Sequence, residues 1–479
     1  MVDNMKKDII GREREMEVLE LARNSQKAEL VAVYGRRRVG KTFLVKQFFG
    51  CKFDFYLTGI YEGTKAEQLK FFNKQLCEYS SIPYPLVDNW FDAFDQLKHY
   101  LSHLPTERPA IVFIDELPWL DTPRSRFVKA FELFWNSWAS DRQNLKLIVC
   151  GSATTWMMSH LLGDKGGLHN RVTRRIKLSP FNLRETEMFL KSRGIVWNRH
   201  QIAEAYMIFG GTPYYLEMLQ KSYGLPQNVD RLFFSENAEL RDEYDFLFRS
   251  LFKDSQIYRS TIEYLARKAK GLSRKELMAG LKLVDGGAFT IVLENLCNCD
   301  FIRKYSAFGK TERDVLYQLT DMFTLFYLHF VQGSNGRDEN LWSNLVDSPQ
   351  KRSWSGYSFE QLCLHHIPQI KSALGISGIQ SDVCSWFCLP DENHRGAQVD
   401  LVIDRRDQII NLCEMKYATG VYEITGKYEK EMLERRELFR SVTFTRKALH
   451  LTMVTTYGIK QNPYSGSVQS EVTLDDLFR

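Results

Sequence analysis

The residues Gly35-Arg36-Arg37-Arg38-Val39-Gly40-Lys41-Thr42 follow the spacing G-x-x-x-x-G-K-[ST], in which nearly every position has a use at a phosphate. Glycines let successive backbone N–H groups curl around phosphate oxygens, and a helix starting after them adds its positive end. Lys41 would reach the β- and γ-phosphates of a nucleoside triphosphate, and Thr42 would bind Mg²⁺. Arg36, Arg37 and Arg38 fill the loop with Val39, facing solvent or phosphate. Downstream, Ala110-Ile111-Val112-Phe113-Ile114 ends in two acids. Asp115 would hold Mg²⁺ through water, and Glu116 would orient or deprotonate the attacking water, the step that separates a hydrolase from a binder. A third apolar run, Leu145–Cys150, ends in Gly151-Ser152-Ala153-Thr154-Thr155. Ser152 and Thr154 are candidates for touching the γ-phosphate or the lytic water, with helix capping as their other use. Arg171 stands before Val172-Thr173-Arg174-Arg175 and is the candidate guanidinium for transition-state charge, commonly delivered by a neighbouring subunit; a structural salt bridge is the alternative.

A second constellation lies far downstream. Val399-Asp400-Leu401-Val402-Ile403, a turn at Asp404–Gln408, and Ile409–Lys416 ending in Glu414-Met415-Lys416 read as a β-hairpin that sets Asp400 alongside Glu414. Glu414 and Lys416 are two apart on a strand and share a face. Two carboxylates and a lysine there can hold one or two Mg²⁺ ions and position a hydrolytic water at a phosphodiester. Glu360, on the amphipathic stretch Tyr357–His366, is a candidate outer ligand.

The elements that must position these groups are legible as periodicity. Residues 1–180 alternate short apolar runs with amphipathic stretches, which predicts an α/β domain with a parallel sheet. Strands are expected at Glu29–Tyr34, Lys52–Leu57, Ala110–Ile114, Leu145–Cys150 and Val172–Leu178. Residues 181–248 are helical in pattern, interrupted at Gly210-Gly211-Thr212-Pro213. Residues 249–335 predict helices at Ile257–Ala266, Ser273–Leu281 and Ala288–Asn298, the second with a capping box of Ser273 and Glu276. Two β-like runs follow, Phe301–Tyr305 and Val315–Leu319, with a polar hairpin at Ala307–Asp314. That order, three helices and a wing, is that of a winged helix. Its third helix is poor in Lys and Arg, so reading a DNA groove is not its expected task, although Arg303, Lys304, Lys310 and Arg313 leave weak backbone contact open. Gly333–Asn340 and Asp347–Gly356 read as linker, and residues 340–479 as a further α/β domain closing with a charged helix at Tyr428–Phe439.

With Ile10-Gly11-Arg12-Glu13 ahead of the phosphate loop and Gly210-Gly211-Thr212-Pro213-Tyr214-Tyr215-Leu216 behind it, residues 8–245 resemble AAA+ ATPases of the prokaryotic and archaeal type, P-loop NTPases related to signal-transducing ATPases. The resemblance implies a helical lid over residues 181–248, a winged helix after it, and nucleotide-proximal roles for Gly11, Arg12 and Pro213. Asp400…Glu414-x-Lys416, with Glu360 on a preceding helix, resembles the PD-(D/E)XK nuclease fold, although Val399 stands where a proline is common. Fusions of the two occur in the family resembled. The implied function is ATP-controlled, metal-dependent cleavage of DNA, or RNA; a nucleotide-driven switch or scaffold using an inactive nuclease fold for binding is the alternative.

Bulk properties bound the rest. A formal charge of +5, from 64 basic and 59 acidic residues, permits nucleic-acid binding without demanding it. No run of 18 apolar residues exists and the first residues lack an apolar signal core, so no membrane contact and a cytoplasmic location are expected, as monomer or homo-oligomer. Nine cysteines, without a C-x-x-C, argue against a disulfide framework. Cys363, Cys384, Cys388 and Cys413, near His365, His366 and His394, match no metal spacing and are expected as buried free thiols.

Overall fold

The computed structural model describes residues 8–163, 168, 170–252, 254–268, 270–284, 286–309, 315–334, 338–390 and 395–479. His169, Lys310, Arg313 and His394 lie outside these. The chain divides into two compact units, Met1–Pro180 and Phe181–Arg479.

The first unit is built on strands β1 (Glu29–Tyr34), β2 (Phe55–Thr58), β3 (Ala110–Asp115), β4 (Leu145–Gly151) and β5 (Arg174–Lys177), ordered β2-β3-β4-β1-β5. All pairs are parallel. The near-continuous apolar runs of the central strands follow from this, because both faces of a parallel sheet are covered. On β1, Leu30 and Ala32 pack into one apolar layer, while Val31 and Val33 pack into the layer opposite. β2 and β5 are shorter than expected, beginning at Phe55 and Arg174.

The second unit opens with helices Leu183–Ser192 and Arg199–Phe209, each started by a complete capping box, Asn182 with Glu185 and Asn198 with Gln201. Gly210 and Gly211 follow in left-handed conformation, and a Cβ on Gly211 would sit 2.2 Å from the Phe181 carbonyl oxygen. Pro213 opens the next short helix, Pro213–Glu217. Past the helix Glu243–Leu251 lie helices Ser255–Ala266, Arg274–Leu281 and Gly287–Asn298, and the Ser273–Glu276 capping box is present. With them goes a small sheet of β6 (Leu272–Ser273), β7 (Ile302–Ser306) and β8 (Val315–Leu319), ordered β6-β8-β7.

The stretch 347–356 is not linker. Ser348 caps a helix that runs Pro349–His365, two turns longer at its start than the amphipathic stretch suggested. Ser-Pro is a cap followed by the first helical position, a signal masked by the polar residues and Gly356 around it. Beyond it β9 (Ser381–Cys388), β10 (Ala397–Arg405), β11 (Ile409–Lys416), β12 (Ala448–Thr455) and β13 (Ser470–Thr473) form a mixed sheet ordered β13-β12-β11-β10-β9. The helix Gly426–Thr443 lays Met432 and Phe439 on Val402, Ile410, Leu412 and Leu451 of that sheet. Among the described residues no helix is long and apolar enough to cross a membrane.

Candidate functional site

In the first unit, β1 ends against the residue that follows β5: Leu178 N donates to Tyr34 O at 2.7 Å. Gly35 turns there with φ +145°, and a Cβ on it would stand 2.2 Å from Leu178 O, so no side chain is tolerated at the first loop position. Gly40 takes φ +89° and Lys41 begins the helix Lys41–Phe48, whose first turn holds no acid and no capping side chain. Its N–H groups therefore keep their positive end for an anion. Lys41 is buried and its Nζ donates to Arg36 O at 2.8 Å. Of the three arginines, Arg36 is buried, 1% exposed, while Arg37 and Arg38 are half-buried; the solvent-facing alternative fails for Arg36. Val39 is core.

The acids come from a strand that is not β1's neighbour, since β4 lies between β1 and β3. Thr42 Oγ1 donates to Asp115 Oδ1 at 3.1 Å, and Glu116 N donates to the same oxygen at 3.0 Å. A hydroxyl and a buried carboxylate at this separation suit an octahedral Mg²⁺ that keeps most of its waters. Ser152 has a different employment from either expectation. Its backbone N and its Oγ both donate to Glu116 Oε2, at 3.1 and 2.8 Å, so the end of β4 holds the candidate base. It caps no helix. Thr154 is buried and its hydroxyl has no hydrogen-bond partner among the described residues, leaving it the freer of the two to meet a ligand.

Gly11 and Arg12 are both left-handed, and Arg12 Nη2 donates to Ser179 O at 2.8 Å, one residue past the leucine that abuts Gly35. Arg12 thus ties the N-terminal segment to the loop's edge. Arg171 is exposed and lies at the other end of the sheet: Thr173 N donates to Leu30 O, five residues before Gly35, or roughly 16 Å along the strand. It therefore does not serve this chain's own phosphates. The salt bridge in this segment belongs to Arg174, which meets Glu29 at 3.1 Å. Pro213, in the second unit, starts the helix after the double-glycine turn.

The second unit gathers its acids in one cavity of about 300 Å³, lined by Glu360, Asp400, Glu414 and Lys416 together with Gln398, Arg435, Arg303, Tyr305, Gln318 and Lys270. The hairpin register pairs Leu401 with Cys413, so Asp400 and Glu414 stand one step beyond it. β10 is irregular against β9 between Val399 and Val402, with one extra residue on the β10 side. A bulge of this kind re-aims side chains, and here it occurs at the acid.

Burial first, and then Asp400, push the Glu360 carboxyl up to about 8. Asp400 is raised by burial and by Glu414. Oxygen donors whose charges repel one another fit a hard dication in their chemistry. Their present spacing does not complete a site, for among the described residues no group of three His, Cys, Asp or Glu is close enough to hold a metal. The reason is visible at Glu414. Arg435, from the helix Gly426–Thr443, forms an ion pair with Oε1, and Tyr428 donates to Oε2 at 3.1 Å. Gln398 donates to Asp400 Oδ1. Gln398 was legible from its two-residue spacing to Asp400; Arg435 and Tyr428 had no local signal, because a separate helix delivers them.

His366 is engaged elsewhere, and the thiols are free. His366 is buried, accepts from Leu183 N at 3.0 Å through Nε2, and contacts Leu362 O at 2.8 Å through Nδ1. Cys363 and Cys413 are buried free thiols, whereas Cys384 and Cys388 are only half-buried.

Residues 9–219 match a family described as an ATPase domain predominantly from Archaea. The chain is 23% identical over 414 residues to the uncharacterized protein MJECL04 of Methanocaldococcus jannaschii, covering 85% of this chain and 87% of that protein. It is 54% identical over 39 residues to the uncharacterized ATP-binding protein MJ0423 of the same organism, 8% of this chain and 66% of that protein. Among solved structures, the Walker-type ATPase PABY2304 of Pyrococcus abyssi aligns with a TM-score of 0.48 at 19% identity, over 67% of this chain and 96% of that chain. The phosphate loop, its paired acids and the sheet that carries them thus lie in the stretch that is similar to ATPase domains of archaeal type.

Proposed function

We propose that this ATPase domain controls a metal-dependent nuclease site in the second unit, acting on DNA or RNA. The observation that carries the proposal is the meeting of Glu360, Asp400, Glu414 and Lys416, from a helix and two strands, in a single cavity. In this reading residues 181–248 are the lid, 249–335 a winged helix and 340–479 a PD-(D/E)XK nuclease-like domain.

Thr42 and Asp115 would hold the Mg²⁺ that accompanies ATP, and Glu116 is the base or water-orienting group. Release of Glu116 from Ser152 is the point at which nucleotide binding would switch hydrolysis on. In the cavity, Glu360 and Asp400 would hold a divalent ion, joined by Glu414 once Arg435 leaves it. When bound, such an ion neutralises charge developing on a phosphodiester. Lys416, whose Nζ lies 5.2 Å over the Tyr428 ring, shares the strand face of Glu414 and would supply positive charge to that chemistry.

A second reading has its own support. Arg435 and Tyr428 engage both oxygens of Glu414, the arrangement expected of a nuclease fold that binds a partner or nucleic acid without cutting it. The two are separated by incubating purified protein with Mg²⁺ or Mn²⁺ and single- and double-stranded DNA and RNA, with and without ATP. The control is the triple substitution of Asp400, Glu414 and Lys416 by Ala. Cleavage that the triple variant loses supports the nuclease. No cleavage anywhere, with a cellular phenotype for Glu116→Gln and none for Glu414→Ala, establishes the switch.

A further inference from the structure

One wall of the acidic cavity belongs to the small β6-β8-β7 sheet. Arg303 and Tyr305 on β7, Gln318 on β8, and Lys270 just before β6 line it opposite the carboxylates. The two sheets are joined at this rim. Ala307 forms a bridge to Ser385 of β9, Phe308 N donates to Ser385 O at 2.7 Å, and the Phe308 ring lies 5.0 Å from that of Phe439. The position of Arg303 beside the acids is therefore fixed by backbone pairing.

Its orientation is fixed too. Arg303 and Tyr305 are two apart on one strand and share a face. The guanidinium lies 4.8 Å over the Tyr305 ring, and its Nε donates to Gln318 Oε1 at 2.8 Å. Tyr305 OH in turn donates to Lys270 O. Yet Arg303 has no ion pair: no carboxylate lies within 4.0 Å of it among the described residues, although Asp400 is near enough to influence it. A half-buried guanidinium held from two sides, facing acids it does not touch, is arranged for a group lying between them. The acids want a cation and Arg303 wants an anion. A phosphodiester accompanied by a divalent ion satisfies both, with the guanidinium fork on the phosphate oxygens.

We propose that Arg303, positioned by Tyr305 and Gln318 and assisted by Lys270, is the phosphate-holding wall of this cavity, and that its ligand is a single nucleic-acid strand passing between β7 and the carboxylates. A space of about 300 Å³ accommodates a nucleotide-sized group and not a duplex laid across it. This rests on the nucleic-acid reading of the same cavity but does not require cleavage. It gives Arg303 a use in a strand-binding cavity instead of in a DNA groove.

The test uses the full chain, a fluorescein-labelled single-stranded oligonucleotide and Ca²⁺, which supplies the cation the carboxylates want, with binding read by anisotropy and the oligonucleotide checked for cutting on a gel. Arg303→Ala should weaken binding about tenfold at low salt and reduce the slope of log affinity against log salt by roughly 0.7, one strand phosphate contact. Arg303→Lys should fall between it and the parent, and Lys270→Ala, an exposed position, should weaken binding severalfold. A blunt duplex of the same sequence should compete poorly. If Arg303→Ala lowers the melting temperature, the lysine variant and Lys270→Ala decide, with ATP turnover reporting that the first unit is intact. Binding that responds to these changes, with no cleavage when Mg²⁺ or Mn²⁺ replaces Ca²⁺, supports the wall and removes the nuclease. Unchanged affinity and salt slope in all three variants overturn the wall, whether or not the protein cuts. No binding by the parent chain, or equal competition by the duplex, also overturns it.

Discussion

Arg435→Ala probes the acidic cavity most directly. Glu414 is 10% and Arg435 23% exposed at the side chain, so the ion pair is shielded from water and removing one partner strands a buried charge. Stranding a charge of this kind costs about 3–5 kcal/mol. Tyr428 still donates to Glu414, and Lys416 lies nearby, so the lower end of that range is expected. In a unit of this size about 3 kcal/mol corresponds to a melting temperature lowered by roughly 6–12 °C. The same substitution releases Glu414 to join Glu360 and Asp400. Mg²⁺ at about a hundred times its dissociation constant then restores about 2.7 kcal/mol, nearly the whole loss. The parent chain, in which Mg²⁺ has to displace a guanidinium, should respond less. The assay is thermal unfolding with and without Mg²⁺, free of nucleotide so that the ATPase site contributes little, backed by calorimetric titration of the metal. Equal Mg²⁺ responses in parent and variant would refute the competition between Arg435 and metal. A variant as stable as the parent without metal would refute the buried ion pair.

Four further outcomes are expected. Glu116→Gln should lower ATP turnover by about 10²-fold or more while nucleotide binding persists; Ser152→Ala, which removes one of the two hydrogen bonds holding Glu116 and leaves the backbone one, should raise basal turnover by up to roughly tenfold, and a fall instead would assign Ser152 to the phosphate. Burial holds the His366 ring down at about 4 against 6.5 unfolded, so the unfolded chain alone takes up the proton in between. Its contribution is full above pH 6.5 and lost as pH falls toward 4, by at most about 3 kcal/mol, so urea unfolding at pH 7.5 and 5 should show a fall that His366→Gln flattens. Gly211→Ala places a Cβ 2.2 Å from a backbone oxygen at φ +64° and should cost about 2 kcal/mol or more, read as a lower melting temperature; an unchanged one would show that the turn relaxes freely.

The ATPase half was open to reading because its chemistry is local. Gly35, Gly40, Lys41 and Thr42 lie close together on one strand–turn–helix, and spacing alone places them. Asp115 closes a strand whose continuous apolar run is what a buried parallel strand requires, and Glu116 follows it directly. The hairpin that sets Asp400 beside Glu414 is likewise encoded by two runs and a turn. Local periodicity and turn residues act within a few residues, so the sequence by itself determined these. Tertiary structure alone decided who meets whom across the chain. It committed Ser152 to Glu116, set Arg171 at the far end of the sheet, put Arg435 and Tyr428 on Glu414, and brought Arg303 into the acidic cavity. Each of these depends on which element packs beside which. That choice is made by burial of apolar faces such as Met432 and Phe439 on their sheet, and no local spacing records it.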